Sequence, residues 1–244
     1  MSAHHDDAIN QARALAAEQL SYYEEFIPAN DTLLIRPDED EIQKIASMLR
    51  SATSGKRVLD VCCGSGQWTA SYHDAAAEIT LLDASRERLQ VCRDRFGSYQ
   101  HITYIRADIF EWAAAGSYDT IVTTFWLSHI PQALFAGFWD TLRGCLGPQG
   151  KVYFADHRSR FYAERRKGIS DPVAIRTDAA GRKYRVVKRL YEPSNLNNAL
   201  SSIGWSAEVA ATPHFIYGLA EPLPSGQAAR RGGHGRGPFH PDAR

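Results

Sequence analysis

The chain has 244 residues, 44% of them hydrophobic, and its 28 Lys/Arg balance 28 Asp/Glu. That length fits one substantial core with appendages, and the apolar content is ordinary for a globular protein. No stretch approaches the length needed to cross a membrane, the polar start Met1-Ser2-Ala3-His4-His5-Asp6-Asp7 has no signal-peptide apolar region, and the four cysteines show no metal-ligand spacing. Cys62 and Cys63 are adjacent and cannot pair in ordinary geometry, so reduced thiols in a cytoplasm are expected.

Asp6 to Phe26 reads as a helix, with Ile9, Ala12, Ala16, Leu20 and Tyr23 at helical spacing. Pro28 and Asn30-Asp31 break it, and Asp38 to Leu49 follows as a second helix. Arg57-Val58-Leu59 is a short apolar strand that runs into Asp60-Val61-Cys62-Cys63-Gly64-Ser65-Gly66 and then a helix from Gln67 to Ala75. Strand, glycine turn and helix form the opening unit of a nucleotide-binding α/β domain, in which Gly64 and Gly66 let backbone approach a ligand.

A second strand, Glu78 to Leu82, ends in Asp83, which lies 17 residues beyond Gly66, about where an acidic residue meets ribose hydroxyls. Helix Ser85 to Phe96 leads to strand Ile102 to Ile105, then Asp108 and a short helix around Ile109 to Ala114. Strand Tyr118 to Thr124, helix Pro131 to Cys145 and strand Lys151 to Ala155 complete an alternation that predicts a parallel sheet with right-handed crossovers. Val173 to Thr177 and Lys183 to Leu190 then read as an inserted β-hairpin. Helix Pro193 to Ile203, closed by Gly204, and an antiparallel pair, Trp205 to Ala211 with His214 to Leu219, end the ordered chain.

The charge is unevenly spread. Arg158 to Arg189 holds eleven basic and three acidic residues, a local excess of +8. It reads either as a solvated basic face or as a cap that attracts an anionic substrate. Beyond Pro222 the chain is Gly-, Pro-, Arg- and His-rich with almost no apolar residues, and disorder is expected there.

The loop after the fourth strand, Thr123 to Pro131, lies at the carboxyl end of the sheet, where open α/β folds bind ligands. His129 stands there as a candidate proton acceptor or anion holder, against the plainer role of capping the next helix. Trp126 can wall a pocket or serve as core, and the same choice holds for Tyr22 and Tyr23 on the first helix. Asp156-His157, after the fifth strand, either face the site or are solvated.

Taken in order, Leu59 to Gly66, Leu82-Asp83-Ala84-Ser85 and Arg106-Ala107-Asp108-Ile109 resemble class I S-adenosylmethionine (SAM)-dependent methyltransferases. Cys62 stands where many members carry the first glycine. The resemblance implies a Rossmann-like fold with a seven-stranded, mostly parallel sheet, an N-terminal helical lid and an inserted hairpin cap. Residues 1–50 would form the lid, 51–221 the SAM-binding domain with 157–191 as the basic insertion, and 222–244 a disordered tail. It also implies Asp83 at the ribose and Asp108 with Ile109 at the adenine. Tyr22, Asp60, Cys62, Gly64, Gly66, Trp68, Ala84, Arg88 and Phe125 complete the expected cofactor set, with S-adenosylhomocysteine as product and no metal.

Phe125 to Pro131, Phe138-Trp139, Gly181 to Lys188, Gln19 to Tyr23 and Leu200 to Trp205 are similar to a bacterial group of small-molecule O-methyltransferases. The phosphonate O-methyltransferase of the dehydrophos pathway is a member. That similarity implies oxygen-directed transfer to an anionic metabolite or natural-product intermediate under a mobile N-terminal helix, with His129, Arg176 and Lys188 at the substrate, beside Tyr23 and Trp126. The competing readings are an N- or C-methyltransferase and a SAM-binding protein that transfers no methyl. Nucleic acid is not expected as a partner, because the fourth-strand loop is Thr-Phe-Trp-Leu and no aromatic-interleaved basic platform is evident. A soluble monomer or homodimer is expected.

Overall fold

The computed structural model describes residues 3–25, 38–113, 116–158, 173–178 and 180–224. The expected chain break at Pro28 to Asp31, most of the basic stretch between Ser159 and Pro172, and the tail from Ser225 lie outside the described residues.

Nine strands and five α-helices are described. Helices α1 (Ala3–Glu25) and α2 (Glu39–Thr53) precede strand β1 (Arg57–Val61). Then come β2 (Glu78–Asp83), α3 (Arg86–Phe96), β3 (Ile102–Arg106), β4 (Tyr118–Thr124), α4 (Phe135–Cys145) and β5 (Leu146–His157). The hairpin is β6 (Val173–Thr177) with β7 (Lys183–Val187), followed by α5 (Pro193–Ser202), β8 (Trp205–Ala211) and β9 (Phe215–Pro222). The main sheet has seven strands in the order β3-β2-β1-β4-β5-β9-β8. Strands β1 to β5 pair in parallel, and β9 is antiparallel to both β5 and β8. This is the Rossmann-like sheet expected from the alternation.

Both faces of the sheet are covered, so its central strands are apolar on both sides. Val58 faces α2 and α3 with Ile45, Leu49, Leu89 and Phe96, whereas its neighbour Leu59 faces the opposite core with Trp139, Phe154 and Leu200. The alternation of a strand sends successive side chains to opposite layers. On the second face Trp139 and Trp205 meet edge-on with ring centroids 4.9 Å apart. The chain turns one way from β1 to β2 and the other way to β4, which opens a crevice at the carboxyl ends of these strands.

Two expected helices are not formed among the described residues. Between Gln67 and Ala75 the chain forms turns around a single 3₁₀ turn at Thr69–Ser71. The Thr69 and Tyr72 hydroxyls both donate to the same oxygen of Asp60, at 2.6 and 2.5 Å. Three residues per turn places positions i and i+3 above one another, which an α-helix does less well. Ile109 to Glu111 is likewise a turn, made where the Asp108 carboxylate accepts the Phe110 N–H at 2.9 Å. Strand β5, by contrast, is longer than expected, because Leu146 already pairs with Tyr118.

Helix α1 reaches across the crevice and docks on the hairpin. Gln19 is buried there. Its Nε2 donates to the His129 carbonyl at 3.1 Å, and its Oε1 accepts the Val187 N–H at 2.9 Å. Beside it, Glu18 accepts the Arg185 N–H at 2.6 Å and its guanidinium at 2.8 Å. One side chain thus satisfies a buried donor and a buried acceptor from two other segments. Each left unpaired costs roughly 1–3 kcal/mol. Gln19→Ala is expected to speed amide exchange in α1 and β7 by about tenfold or more, since about 1.4 kcal/mol is a factor of ten, with β1, β4 and β5 unchanged. Hydrogen exchange read by mass spectrometry checks this.

Candidate active site

A cavity of about 730 Å³ opens at the carboxyl ends of β1, β2 and β4 and runs beneath α1 and the hairpin. One end is built by the turns after β1 and β2. Asp83, 8% exposed, accepts the Gly64 N–H at 2.8 Å on one oxygen and the Ser85 N–H at 2.9 Å on the other. Burial raises its pKa, and the two backbone donors oppose that rise. Each oxygen keeps a lone-pair direction for a further donor. The turn itself is tight: Cys62, Gly64 and Gly66 all have positive φ, at 55°, 58° and 74°. A side chain at Cys62 in that conformation stores strain.

Cys62, Gly64, Trp68, Ala84, Arg88, Asp108, Ile109 and Phe125 line this end with Asp83. Asp60 and Gly66 do not line it, and their roles need restating. Asp60 lies behind the turn, 1% exposed, where the Thr69 and Tyr72 hydroxyls hold it. A Cβ at Gly66 would lie 2.5 Å from the Phe96 ring and 3.1 Å from the Cys92 sulfur. Gly66 therefore serves close packing of the turn on α3.

The other end is polar and buried. Tyr22, Tyr23, Trp126, His129, Arg176 and Lys188 all line it. The Tyr23 hydroxyl lies 3.3 Å from Nε2 and 3.4 Å from Nδ1 of His129. The Arg88 guanidinium sits 5.4 Å from the Tyr23 ring centre and so joins the two ends. Burial, and after it the Lys188 ammonium, hold His129 well below the ordinary histidine range, so its imidazole is neutral at pH 7. Arg176 pairs with Tyr184 in the hairpin, and its positive charge acts on the Tyr23 hydroxyl. Lys188 Nζ donates to Ser128 Oγ at 3.0 Å and approaches His157 Nδ1 at 3.4 Å.

Three of the seven described basic residues of this run are paired with carboxylates. Arg158 pairs with Glu192 at 2.8 Å, Arg182 with Asp178 at 2.7 Å and Arg185 with Glu18 at 2.7 Å. Arg182 and Lys183 are exposed beside the hairpin turn. Sequence reading did not assign roles to Gln19, Ser85 or Ser128. Ser85 carried a usable signal, a serine directly before a helix; the other two act through contacts 28 or more residues away. Among the described residues no group of His, Cys, Asp and Glu could hold a metal ion, all four cysteines are free thiols, and no helix is long and apolar enough to cross a membrane.

Residues 58–150 match the family described as a methyltransferase domain. The DhpI–SAH complex superposes with a TM-score of 0.74 at 29% identity, covering 86% of this chain and 98% of DhpI. The fold is that of the class I methyltransferases. The complex of DhpI with SAM and HEP gives the same score and identity over 85% of this chain. Among curated proteins, the ubiquinone biosynthesis O-methyltransferase of Vibrio campbellii is 36% identical over 107 residues, which is 41% of this chain and 43% of that protein. That of Aromatoleum aromaticum is 34% identical over 116 residues, 45% of this chain and 47% of that protein. The chain thus spans less than half the length of these curated relatives.

Asp60 provides a test of the turn. Burial raises its pKa to about 6, against the two hydroxyl hydrogen bonds that lower it. The folded state therefore binds this proton more tightly than the unfolded chain. The stabilisation is fully present below the unfolded pKa of about 4 and is lost as pH rises through about 6, amounting to roughly 2–3 kcal/mol. Asp60→Asn keeps an acceptor oxygen without the charge. Its stability relative to wild type should rise between about pH 4 and pH 7, as urea unfolding at a series of pH values would report.

Proposed function

We propose that this protein is a SAM-dependent methyltransferase that moves a methyl group onto an oxygen of a small anionic acceptor. The observation that carries this reading is the division of one cavity into a carboxylate end and a cationic end. Asp83 offers remaining acceptor capacity at the first, while Arg176 and Lys188 line the second. The fold and the match over residues 58–150 support the methyl transfer. The likeness to DhpI bound to SAM and HEP, and to O-methyltransferases, supports the choice of a small acceptor and of oxygen.

The residues present suit SAM. Asp83 is a buried carboxylate for ribose hydroxyls, Asp108 and Ile109 stand for the adenine, and the Gly64 turn with Cys62, Trp68 and Phe125 receives the methionine part. When bound, SAM supplies a methyl already activated on a sulfonium, ready for in-line displacement. What remains for the protein is proximity and alignment. Arg176 and Lys188 orient the acceptor's charged group, and Tyr23 with His129 closes the wall beside it. A phosphonate or carboxylate is ionised at neutral pH, so no proton need be removed. Neutral His129 then acts as a hydrogen-bonding wall; for a phenol it would be the base.

The acceptor's negative charge falls during transfer, so cations that bind it too tightly would favour the ground state. Sharing Lys188 with Ser128 and His157 tempers that hold.

Calorimetric titration with SAM tests the cofactor half. Asp83→Ala should weaken SAM binding by roughly 1–3 kcal/mol, the worth of a buried hydrogen-bonding carboxylate; unchanged affinity would remove Asp83 from the ribose. Turnover against a panel of phosphonates, carboxylates, amines and phenols tests the acceptor half. Lys188→Ala should lower kcat/KM for the preferred anion by about tenfold or more, whereas Arg182→Ala should change it little. Preference for a neutral acceptor would overturn the anionic assignment.

A further inference from the structure

Lys188 is only 8% exposed. A buried ammonium needs partners that favour its charge. The groups around it come from several elements. Ser128 and His129 approach from the turn after β4, Asp156 and His157 from the end of β5, and Arg176 on β6 and Tyr23 on α1 line the same cavity. Arg176 is itself a cation. His157 Nδ1 lies 3.4 Å from the ammonium and 3.7 Å from an oxygen of Asp156, so it stands between the two charges. Burial and then Asp156 and Lys188 set its basicity, with the net direction downward.

Asp156 is fully buried and gathers donors from the same place. Its two oxygens accept the Ser128 N–H at 2.7 Å, the Ser128 hydroxyl at 3.0 Å and the His157 N–H at 2.6 Å. The Ser128 hydroxyl has one proton, which it gives to Asp156, and its lone pair takes the Lys188 donor. The Ser128 carbonyl accepts the Arg189 N–H at 2.7 Å, so the residue beside Lys188 is tied to the same serine. Asp156 is the carboxylate, among the described residues, that this chain of hydrogen bonds reaches. His157, the Lys188 ammonium and the other neighbours hold it ionised in spite of its burial.

We propose that Asp156 is a positioning residue for the acceptor site: acting through Ser128, it keeps the Lys188 ammonium charged and aimed into the cavity. The proposal rests on the anionic-acceptor reading for its consequence in turnover, but not for its electrostatics. Asp156→Asn preserves shape and removes the charge. Lys188 would then lose a nearby negative charge while the Arg176 cation of the same cavity remains, which favours the neutral amine. Its pKa falls, so the positive charge at the site is present at low pH and lost on raising pH sooner than in wild type.

Two readouts separate this from a merely structural role. The first uses the protein without substrate: titration of the ¹³Cε resonance of labelled Lys188, assigned with Lys188→Arg. The midpoint in Asp156→Asn should fall by about one pH unit or more relative to wild type, a tenfold change in the proton dissociation constant. The second is the pH profile of kcat/KM for the preferred anion. Its basic limb should move down by the same interval, with activity near pH 6 largely kept. A packing defect would instead lower kcat/KM evenly across pH, and that outcome, or an unmoved Lys188 midpoint, overturns the proposal. Should Asp156→Asn fail to fold, Ser128→Ala carries the test, because it removes the bridging hydroxyl. Its Lys188 midpoint should fall by a smaller interval, about threefold in the dissociation constant, and an unchanged midpoint again overturns the proposal. If wild type binds SAM yet methylates no anion, the acceptor reading fails while the resonance titration still decides on Asp156.

Discussion

A carboxylate taken out of water must be surrounded by donors, and that requirement organises the carboxyl ends of the sheet. Strands β1, β2 and β5 each bring a buried Asp to this edge: Asp60, Asp83 and Asp156. Their partners differ, and so do their properties. Two side-chain hydroxyls do not outweigh burial at Asp60, whose pKa rises. Backbone donors from the glycine turn and from Ser85 hold Asp83, leaving it between structure and cavity. Asp156 collects backbone donors, a hydroxyl and nearby positive charge, and its pKa falls despite complete burial. One residue type, at equivalent ends of three strands of one sheet, thereby shapes a turn, offers acceptor capacity and supports a cation.

The lid and the hairpin follow from the same need for satisfied polar groups. Gln19 is buried because its amide is the one group that pairs the His129 carbonyl with the Val187 N–H across the crevice. That pairing sets α1 over the cavity at the height of Tyr22 and Tyr23, whose rings pack with Tyr184 and Val186 of the hairpin. Helix, hairpin and the turn after β4 are therefore joined by buried contacts. The cavity's polar end is assembled from all three, with Lys188 placed just past the last residue of β7.

Net charge says little about the site in this molecule. The excess of +8 between Arg158 and Arg189 suggests a broad cationic cap. In the folded chain, Arg158, Arg182 and Arg185 find carboxylates on other parts of the surface or in their own turn. Exposed pairs of this kind contribute little to stability. What they change is the field at the cavity, where the cations that face inward from the hairpin are Arg176 and Lys188.

Periodicity, turn residues and the ordered series of strand-end acids were enough to read the parallel sheet, the hairpin and most of the cavity lining, because each depends on neighbours in the chain. The helices expected at Gln67 to Ala75 and Ile109 to Ala114 failed for a reason local propensity does not contain. Side chains and backbone there turn toward the carboxylates of Asp60 and Asp108. The pairings of Gln19 with Val187 and of Ser128 with Asp156 were equally hidden, since the partners are 168 and 28 residues apart. Sequence by itself determined which elements form and which acids end the strands. Tertiary structure alone decided which charges are buried, which are paired and which face the cavity, because burial and pairing are properties of distance in space and not of separation along the chain.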